Sequence, residues 1–303
     1  MNDITHKIFT LRNAHAQAVI QVSAQSTIDA ILQKQVPKGD VFEFSRAAGL
    51  LAIKKTSDVI PDCHPLPIEY ASIKHRVEDL QIYIDVNVST IYKTGVEVEA
   101  MHGAAITALT MYDMLKPIDK NVIIHSIQLI EKSGGKNAFN DTLSKNINTA
   151  IVVSSDSVFA GKKEDKAGKA IENLLSKNDI QLLYTDVIAD EKSAILQAVK
   201  NAQEKNIQLL IFTGGTGLSP RDITPETISP LLDREIPGIM EAARVYGQQR
   251  MPYAMLSRGV AGFIGSMLVL TLPGSTNGAT ETMQALFPYL KHVFKVAEGM
   301  RHE

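Results

Sequence analysis

The chain has 303 residues, with 31 Lys and Arg against 33 Asp and Glu and a net charge of -2. This length favours two domains with separate cores, and the balanced charge excludes the broad basic surface of a general nucleic-acid-binding protein. One cysteine excludes an internal disulfide framework. The N-terminus lacks a signal-peptide pattern, and no apolar run approaches the roughly 20 residues that span a bilayer. We therefore expect a soluble cytoplasmic protein that binds neither nucleic acid nor membrane.

The first half combines helices with a strand that has one wet face. Residues 40–60, "DVFEFSRAAGLLAIKKTSDVI", predict a helix, and residues 98–116 predict a second. Within residues 79–92 apolar side chains alternate with mostly polar ones, at Leu80, Ile82, Ile84, Val86 and Val88. This period of two is typical of an antiparallel sheet with one buried face. With a further strand expected from residue 121, the first half is predicted to be α+β.

A polar, glycine-bearing stretch at residues 131–149 interrupts both periodicities and predicts a loop and a linker. We place the domain boundary near residue 148, which gives domains 1–148 and 149–303. Beyond it, short apolar strands alternate with helices expected at 165–177 and 191–205. This alternation predicts parallel βαβ units, and open sheets of that kind bind ligands at the carboxyl ends of their strands.

One such strand runs into a glycine-rich loop in "LLIFTGGTGLSPRD", residues 209–222. Glycines after a strand let backbone N–H groups approach an anion closely. The loop lacks the lysine of the G-x-x-x-x-G-K-[ST] phosphate loop and does not match G-x-G-x-x-G either. Taken alone, the spacing is consistent with a phosphate loop and equally with a tight turn.

Carboxylates at the same predicted edge favour phosphate chemistry. Asp222 follows the glycine loop, and the pair Asp190 and Glu191 follows the strand that ends at Ile188. Carboxylates beside phosphates typically hold Mg²⁺, so Asp190 and Asp222 are candidate magnesium ligands. The alternatives are structural: Asp222 would cap a helix or pair with Arg221, and Asp190 and Glu191 would cap the following helix.

Two further loops are predicted to reach this edge. "LTLPGSTNGATE", residues 270–281, ends a strand in Pro-Gly-Ser before a helix, and "SSDS" occupies residues 154–157. Several anion-binding loops on one rim suit a ligand with two phosphate-bearing ends.

Residues 150–290 resemble the molybdopterin adenylyltransferase (MogA/MoaB-type) family through "VSSDS", "TGGTGLSPRDITPE", "EIPGI", "MLSRGVAG" and "LPGS", which occur in that family's order. The resemblance implies an α/β three-layer domain with a mostly parallel sheet. It also implies a nucleotidyltransferase that moves AMP from Mg-ATP to molybdopterin and releases pyrophosphate. Asp190 and Asp222 would then be catalytic. The substrate-binding positions it implies are Gly214, Gly215, Thr216, Gly217, Pro273, Gly274 and Ser275.

In the first half, "PDCHPLPIE" places His64 next to Cys63 within a proline-restricted loop. No C-x-x-C or H-x-x-x-H partner accompanies them, so we expect no protein-ligated transition metal. The second predicted helix begins with Glu97 and Glu99 and closes with Asp113 and Lys116. A solvated helix edge is one interpretation of these charges, and acid–base chemistry is the other.

Helix geometry constrains the second interpretation. Glu99 and Asp113 project in similar directions, but fourteen helical residues separate them by about 21 Å. One chain would not easily place both around a single small substrate. If both act, the site is shared between subunits or an irregular helix shortens the gap.

Residues 3–137 resemble the cyclic pyranopterin monophosphate synthase (MoaC) family through "KGDVFEFSRAAGLLAIKKTSDVIPDCHPL", "KTGVEVEAM", "ALTMYDMLK" and "KSGGK". The resemblance implies a ferredoxin-like α+β lyase that converts 3',8-cyclo-7,8-dihydro-GTP to cyclic pyranopterin monophosphate with loss of pyrophosphate. The implied active-site residues are Lys38, Asp62, Cys63, His64, Val98, Glu99, Asp113 and Lys116, with Lys132 and Lys136 as cations for the triphosphate. Asp62 and Val98 depart from residues usual in that family.

Together the two resemblances predict a bifunctional enzyme of molybdenum cofactor biosynthesis. The synthase family forms hexamers and the adenylyltransferase family trimers, so we expect a homo-oligomer with three-fold symmetry. A different class of function also remains open, in which an active synthase carries a C-terminal pterin-binding or scaffold module without turnover.

Overall fold

The structure is a computed structural model that describes residues 1–135 and 146–297. The chain divides into two compact units, Met1–Phe139 and Asn140–Glu303. The domain boundary near residue 148 stays a prediction. Within the described ranges, every helix is too short or too polar to cross a membrane.

Unit 1 contains an antiparallel four-stranded sheet with helices, and it is therefore α+β. Its elements are β1 (Thr10–Gln21), α1 (Gln25–Leu32), α2 (Val41–Lys54), α3 (Thr56–Val59), β2 (Tyr70–Glu78), β3 (Gln81–Tyr92), α4 (Glu97–Leu115) and β4 (Ile123–Ser133). The strand order is β2-β3-β1-β4, and each neighbouring pair is antiparallel. The central strand β1 was absent from the elements expected from sequence.

Helices α2 and α4 pack together on the apolar face of this sheet. They cross closely, since a Cβ added at Gly49 would lie 2.0 Å from Thr107 Oγ1. The predicted helix 40–60 is interrupted at Lys55, so that α2 ends there and α3 follows. The loop expected from residue 131 begins later, because β4 continues to Ser133.

Unit 2 is α/β, with a mixed six-stranded sheet. Its strands are β5 (Thr149–Ser154), β6 (Leu182–Ile188), β7 (Leu209–Thr213), β8 (Arg234–Glu235), β9 (Ala261–Ile264) and β10 (Met267–Leu272), in the order β6-β5-β7-β10-β9-β8. The β6-β5, β5-β7 and β7-β10 pairs are parallel, while β9 is antiparallel to both of its neighbours.

Helices cover both faces of this sheet. The helices are α5 (Asp156–Phe159), α6 (Ala167–Ser176), α7 (Lys192–Glu204), α8 (Thr224–Ile228), α9 (Pro237–Gln248), α10 (Thr276–Leu286) and α11 (Lys291–Ala297). Helices α6, α9 and α10 bury one face of β5, β7 and β10, and α7 buries the other. Every residue of β5, β7 and β10 is buried. The loops that follow these parallel strands meet at one edge of the sheet.

Candidate active sites

A cluster of three charged side chains lies at the C-terminal end of α4. Asp113 accepts a hydrogen bond from Lys38 Nζ at 2.6 Å through Oδ2 and one from Lys116 Nζ at 2.7 Å through Oδ1. Lys38 Nζ also donates to the Asp113 carbonyl at 2.9 Å, which ties the chain before α2 to the end of α4. The structure thus brings Lys38 to Asp113 although 75 positions separate them in sequence.

Electrostatics fix the charge state of this cluster. Hydrogen bonds from Lys116 and then Lys38 lower the pKa of Asp113 to about 2, and the same bond raises the pKa of Lys116. All three side chains are 38% exposed or more, so the cluster can meet a ligand from solvent. At neutral pH it carries two ammonium groups and one carboxylate, a net positive charge suited to a phosphate.

The other end of α4 holds a buried carboxylate. Glu99 is only 3% exposed and accepts a hydrogen bond from Cys63 Sγ at 3.1 Å. Burial raises the pKa of Glu99, and burial followed by the Glu99 carboxylate raises the pKa of Cys63 to about 12. The Cys63 side chain is therefore a thiol donor at neutral pH, and thiolate chemistry is unfavourable here.

The remaining candidate residues of unit 1 have other partners. His64 Nε2 lies 2.9 Å from the Asn2 carbonyl, and the Asp62 carboxylate lies 2.7 Å from the N-terminal ammonium. Lys132 Nζ pairs with Glu97 Oε1 at 3.0 Å. Val98 is 40% exposed on α4. Lys136 lies outside the described residues.

Helix α4 is a single 19-residue helix, so Glu99 and Asp113 lie at opposite ends. This removes the alternative in which a helix irregularity shortens the distance of about 21 Å between them. Within one chain, the structure does not bring the Cys63–Glu99 pair to the Lys38–Asp113–Lys116 cluster.

In unit 2, the loops after β5, β7 and β10 line a cavity of about 380 Å³. Asp190 and Asp222 both line it, together with glycines of the 214–217 loop. Asp190 Oδ1 accepts a hydrogen bond from Ser154 Oγ at 2.8 Å, and its Oδ2 accepts one from Asp156 N at 3.3 Å. These bonds fix the Asp190 carboxylate at the mouth of the loop that follows β5.

Asp222 is held within its own loop. Its Oδ2 accepts a hydrogen bond from Ser219 N at 2.9 Å, and in the described part of the chain its Oδ1 has no hydrogen-bond donor. Helix α8 is preceded by Ile223 at its N-cap position, so Asp222 does not cap it. Arg221 pairs with Asp156 and not with Asp222, which rejects the other structural alternative. Glu191 occupies the N-cap position of α7 without a side-chain capping bond.

The glycine loop depends on backbone conformations that side chains disfavour. Gly214 has φ +105° and Gly215 has φ +63°. A Cβ at Gly214 would lie 2.1 Å from the Ser154 carbonyl oxygen, and a Cβ at Gly215 would lie 3.3 Å from Asp190 Oδ1. Glycine at these positions lets the loops after β5 and β7 touch while leaving the Asp190 carboxylate open to the cavity.

A larger cavity of about 1040 Å³ shares Gly215, Asp222 and the 274–276 segment with the first. Thr216, Gly217 and Pro273 line this larger cavity, and Gly274 and Ser275 line both. Ser275 caps α10 by accepting a hydrogen bond from Gly278 N at 3.2 Å. The predicted substrate-binding residues of unit 2 therefore line two neighbouring cavities that share part of their lining.

Three arginines that bind the glycine loop or line the larger cavity were not identified from the sequence. Arg258 donates to the Gly217 carbonyl at 2.8 Å and to the Asp222 carbonyl at 2.6 Å, although it lies 36 positions from Asp222. Arg244 and Arg250 line the larger cavity. The available signal was the "MLSRGVAG" stretch, which contains Arg258 and contributed to the family resemblance without a role for the arginine.

Comparison with known proteins matches each unit to a family. Residues 1–135 match the MoaC family, and residues 150–292 match the family described as "Probable molybdopterin binding domain". A cyclic pyranopterin monophosphate synthase from Nitratidesulfovibrio vulgaris is 43% identical over 138 residues, which cover 45% of this chain and 85% of that protein. Among solved structures, MoaB from Thermus thermophilus is 37% identical, covers 52% of this chain and 99% of its own, and has a TM-score of 0.48.

Two relatives match along the whole length. The molybdenum cofactor biosynthesis bifunctional protein of Chlorobaculum tepidum is 36% identical over 302 residues, covering 100% of this chain and 96% of that protein. The protein of the same description from Synechococcus elongatus is 35% identical over 316 residues, covering 100% and 98%. The chain therefore belongs to the family of bifunctional molybdenum cofactor biosynthesis proteins, with a MoaC domain followed by a MogA/MoaB-like domain.

Proposed function

We propose that residues 1–148 convert 3',8-cyclo-7,8-dihydro-GTP to cyclic pyranopterin monophosphate and release pyrophosphate. We propose further that residues 149–303 transfer AMP from Mg-ATP to molybdopterin. The observation that carries the second assignment is the meeting of Asp190, Asp222 and the loops after β5, β7 and β10 around one cavity. The strand order in unit 1 and the helices on both sheet faces in unit 2 support the ferredoxin-like and three-layer arrangements expected for these activities.

In the synthase part, Lys38 and Lys116 supply positive charge for the substrate phosphates. The raised pKa of Lys116 keeps it protonated while it is paired with Asp113, so it can donate a proton to the substrate but cannot accept one. Loss of that pair alone would leave the side chain protonated at neutral pH, because an unpaired lysine has a pKa of about 10.4. Glu99 and the Cys63 thiol would contact the substrate at the other end of α4, and Lys132 and Lys136 would bind its triphosphate.

Because α4 keeps Asp113 and Glu99 at opposite ends, we propose that one active site uses residues from two subunits. A three-fold homo-oligomer, either trimer or hexamer, satisfies this requirement and the expected symmetry of both families. Light scattering that gives a monomeric mass for an active preparation would contradict this proposal.

The donor set of the unit 2 cavity fits magnesium. The described residues contain no cluster of three or more Asp, Glu, His or Cys that could enclose a metal ion. Mg²⁺ usually takes one or two carboxylates and completes its shell with water and phosphate oxygens, and Asp190 and Asp222, which both line this cavity, offer that number. When bound there, the ion would neutralise charge on the phosphates of ATP.

The chain's own groups then position the reactants. The Ser154 hydroxyl and the Asp156 and Ser219 amides orient the two carboxylates through the hydrogen bonds described above. The N-terminus of α10, with Ser275 as its cap, presents backbone N–H groups to an anion where the two cavities share residues 274–276. AMP transfer requires a molybdopterin phosphate oxygen to bond to the α-phosphorus as pyrophosphate leaves, and the cavity of about 1040 Å³ has room for the pterin.

A paired assay tests both assignments on the intact chain. Lys116→Ala should abolish formation of the cyclic pterin and spare adenylylation, whereas Asp222→Ala should do the reverse. A wild-type protein that binds molybdopterin but does not adenylylate it would reduce unit 2 to a binding or scaffold module. A wild-type protein without synthase activity would refute the assignment of unit 1. The cytoplasmic location of both reactions is part of the same proposal.

A further inference from the structure

A single arginine, Arg258, donates hydrogen bonds to both ends of the segment that carries Asp222. Residues 217–222 form an exposed loop, with Leu218 at its tip 67% exposed. Arg258 Nε donates to the Gly217 carbonyl at 2.8 Å at one end of this loop, and Arg258 Nη2 donates to the Asp222 carbonyl at 2.6 Å at the other. Arg258 therefore joins both ends of the loop through one planar group.

The same guanidinium is anchored on its third side. Arg258 Nη1 pairs with Glu226 Oε1 in α8, and the Arg258 backbone N–H contacts the Thr216 carbonyl at 3.4 Å. A planar guanidinium with donors in fixed directions can serve three acceptors at once, which the point charge of a lysine cannot reproduce. The side chain is 31% exposed and lines neither of the two cavities.

We propose that Arg258 is a positioning residue that fixes the Asp222 carboxylate toward the cavity by clamping the base of the 217–222 loop. Within the loop, Asp222 Oδ2 accepts from Ser219 N and Asp222 N donates to the Ser219 carbonyl, each at 2.9 Å. By restraining both ends of the loop, the clamp would hold these two bonds closed. Without the clamp, the carboxylate loses its fixed direction while the sheet beneath it is unaffected.

The consequence for catalysis rests on the proposed adenylyltransferase function, but the clamp itself can be tested without it. The variants are Arg258→Met, Arg258→Lys and Glu226→Gln in the full chain, with Arg234→Met as a surface-arginine control in the same unit. Hydrogen exchange of the Ser219 and Asp222 amides reports the clamp in the ligand-free protein. The Mg²⁺ concentration for half-maximal adenylylation reports the position of Asp222.

Arg258→Met should speed exchange at both amides by about tenfold or more, because two hydrogen bonds from a charged donor are lost. It should raise the Mg²⁺ concentration for half-maximal activity by about tenfold and lower kcat more than it changes KM for molybdopterin. Arg258→Lys should fall between wild type and Arg258→Met. Glu226→Gln keeps both carbonyl contacts and should change each quantity less than about threefold, and Arg234→Met should change none.

Unchanged exchange in Arg258→Met would overturn the clamp. Faster exchange with an unchanged Mg²⁺ requirement in an active enzyme would overturn the link to Asp222. If the wild-type protein does not adenylylate, the proposed function fails, and exchange together with Mg²⁺-dependent ATP binding still decides the role of Arg258. Should Arg258→Met fail to fold, the Lys and Gln variants supply the same comparison with smaller changes.

Discussion

Substitution of Gly214 by alanine tests whether close contact between two loops creates the unit 2 site. The added Cβ would lie 2.1 Å from the Ser154 carbonyl oxygen, which belongs to the backbone and cannot rotate away. Ordinary carbon–oxygen contacts begin at about 3.3 Å, so the loops must separate by about 1.2 Å. Ser154 also orients Asp190, and the displacement therefore reaches the carboxylate.

A displacement of about 1 Å in a catalytic arrangement can cost about 100-fold in rate, and we expect Gly214→Ala to lower kcat/KM for adenylylation by about that factor. The positive φ of residue 214 adds a conformational cost of about 1–3 kcal/mol to the free energy of folding of unit 2. Synthase activity of the same preparation provides an internal control, since unit 1 does not contain the changed residue.

Gly265→Ala is the matched variant. Gly265 has φ +60°, but a Cβ there would meet nothing within 4 Å. It should therefore show a similar conformational cost in chemical denaturation and retain adenylylation. If Gly214→Ala remains folded and turns over at the wild-type rate, or if both variants lose activity equally, close loop contact does not define the site.

Two further predictions concern unit 1. The pKa of Asp113, followed by carboxyl NMR, should be about 2 in the wild type and should rise toward 3.8 in Lys116→Ala, because the ammonium groups favour the charged carboxylate. In the wild type the ion pairs should be fully formed above pH 4 and should be lost as the pH falls through about 2. A pKa near 3.8 in the wild type would contradict the pairing. Cys63, the only cysteine, should react with iodoacetamide about 1000-fold more slowly at pH 8 than a thiol of pKa 9.0, since its own pKa is about 12. Glu99→Gln should speed the reaction by removing the negative neighbour, and an equal rate in both proteins would exclude the Cys63–Glu99 contact.

The elements that the sequence predicts well are those with a strong hydrophobic period. Strand β3 alternates isoleucine and valine with polar residues, and α4 carries an apolar helical stripe, so both were predicted within two residues of their observed limits. Strand β1 also alternates, but three of its inward positions are Ala14, Ala16 and Ala18. Alanine fits helices and strands alike, and the strand exists because it pairs with β3 and β4 on either side.

The convergence of Asp190 and Asp222 on one cavity could also be predicted, because the carboxyl ends of neighbouring parallel strands share an edge of the sheet. The same argument fails in unit 1, where no such edge orders the loops. There the helical spacing gave the Asp113–Lys116 pair, while Lys38 joins it from 75 positions away. Contacts between distant segments follow from tertiary packing, which local periodicity does not encode.

Arg221 and Arg258 show that closeness in sequence does not decide which arginine holds the Asp222 segment in place. Arg221 is adjacent to Asp222, yet its guanidinium pairs with Asp156, the first residue of α5. Arg258 comes from the segment before β9 and holds the backbone of Asp222 itself. A change at Arg221 therefore acts first on Asp156 and then, through the Asp156–Asp190 hydrogen bonds, on the Asp190 carboxylate. A change at Arg258 acts directly on Asp222. The arginine next to Asp222 in sequence therefore affects Asp190, and the arginine 36 positions away affects Asp222.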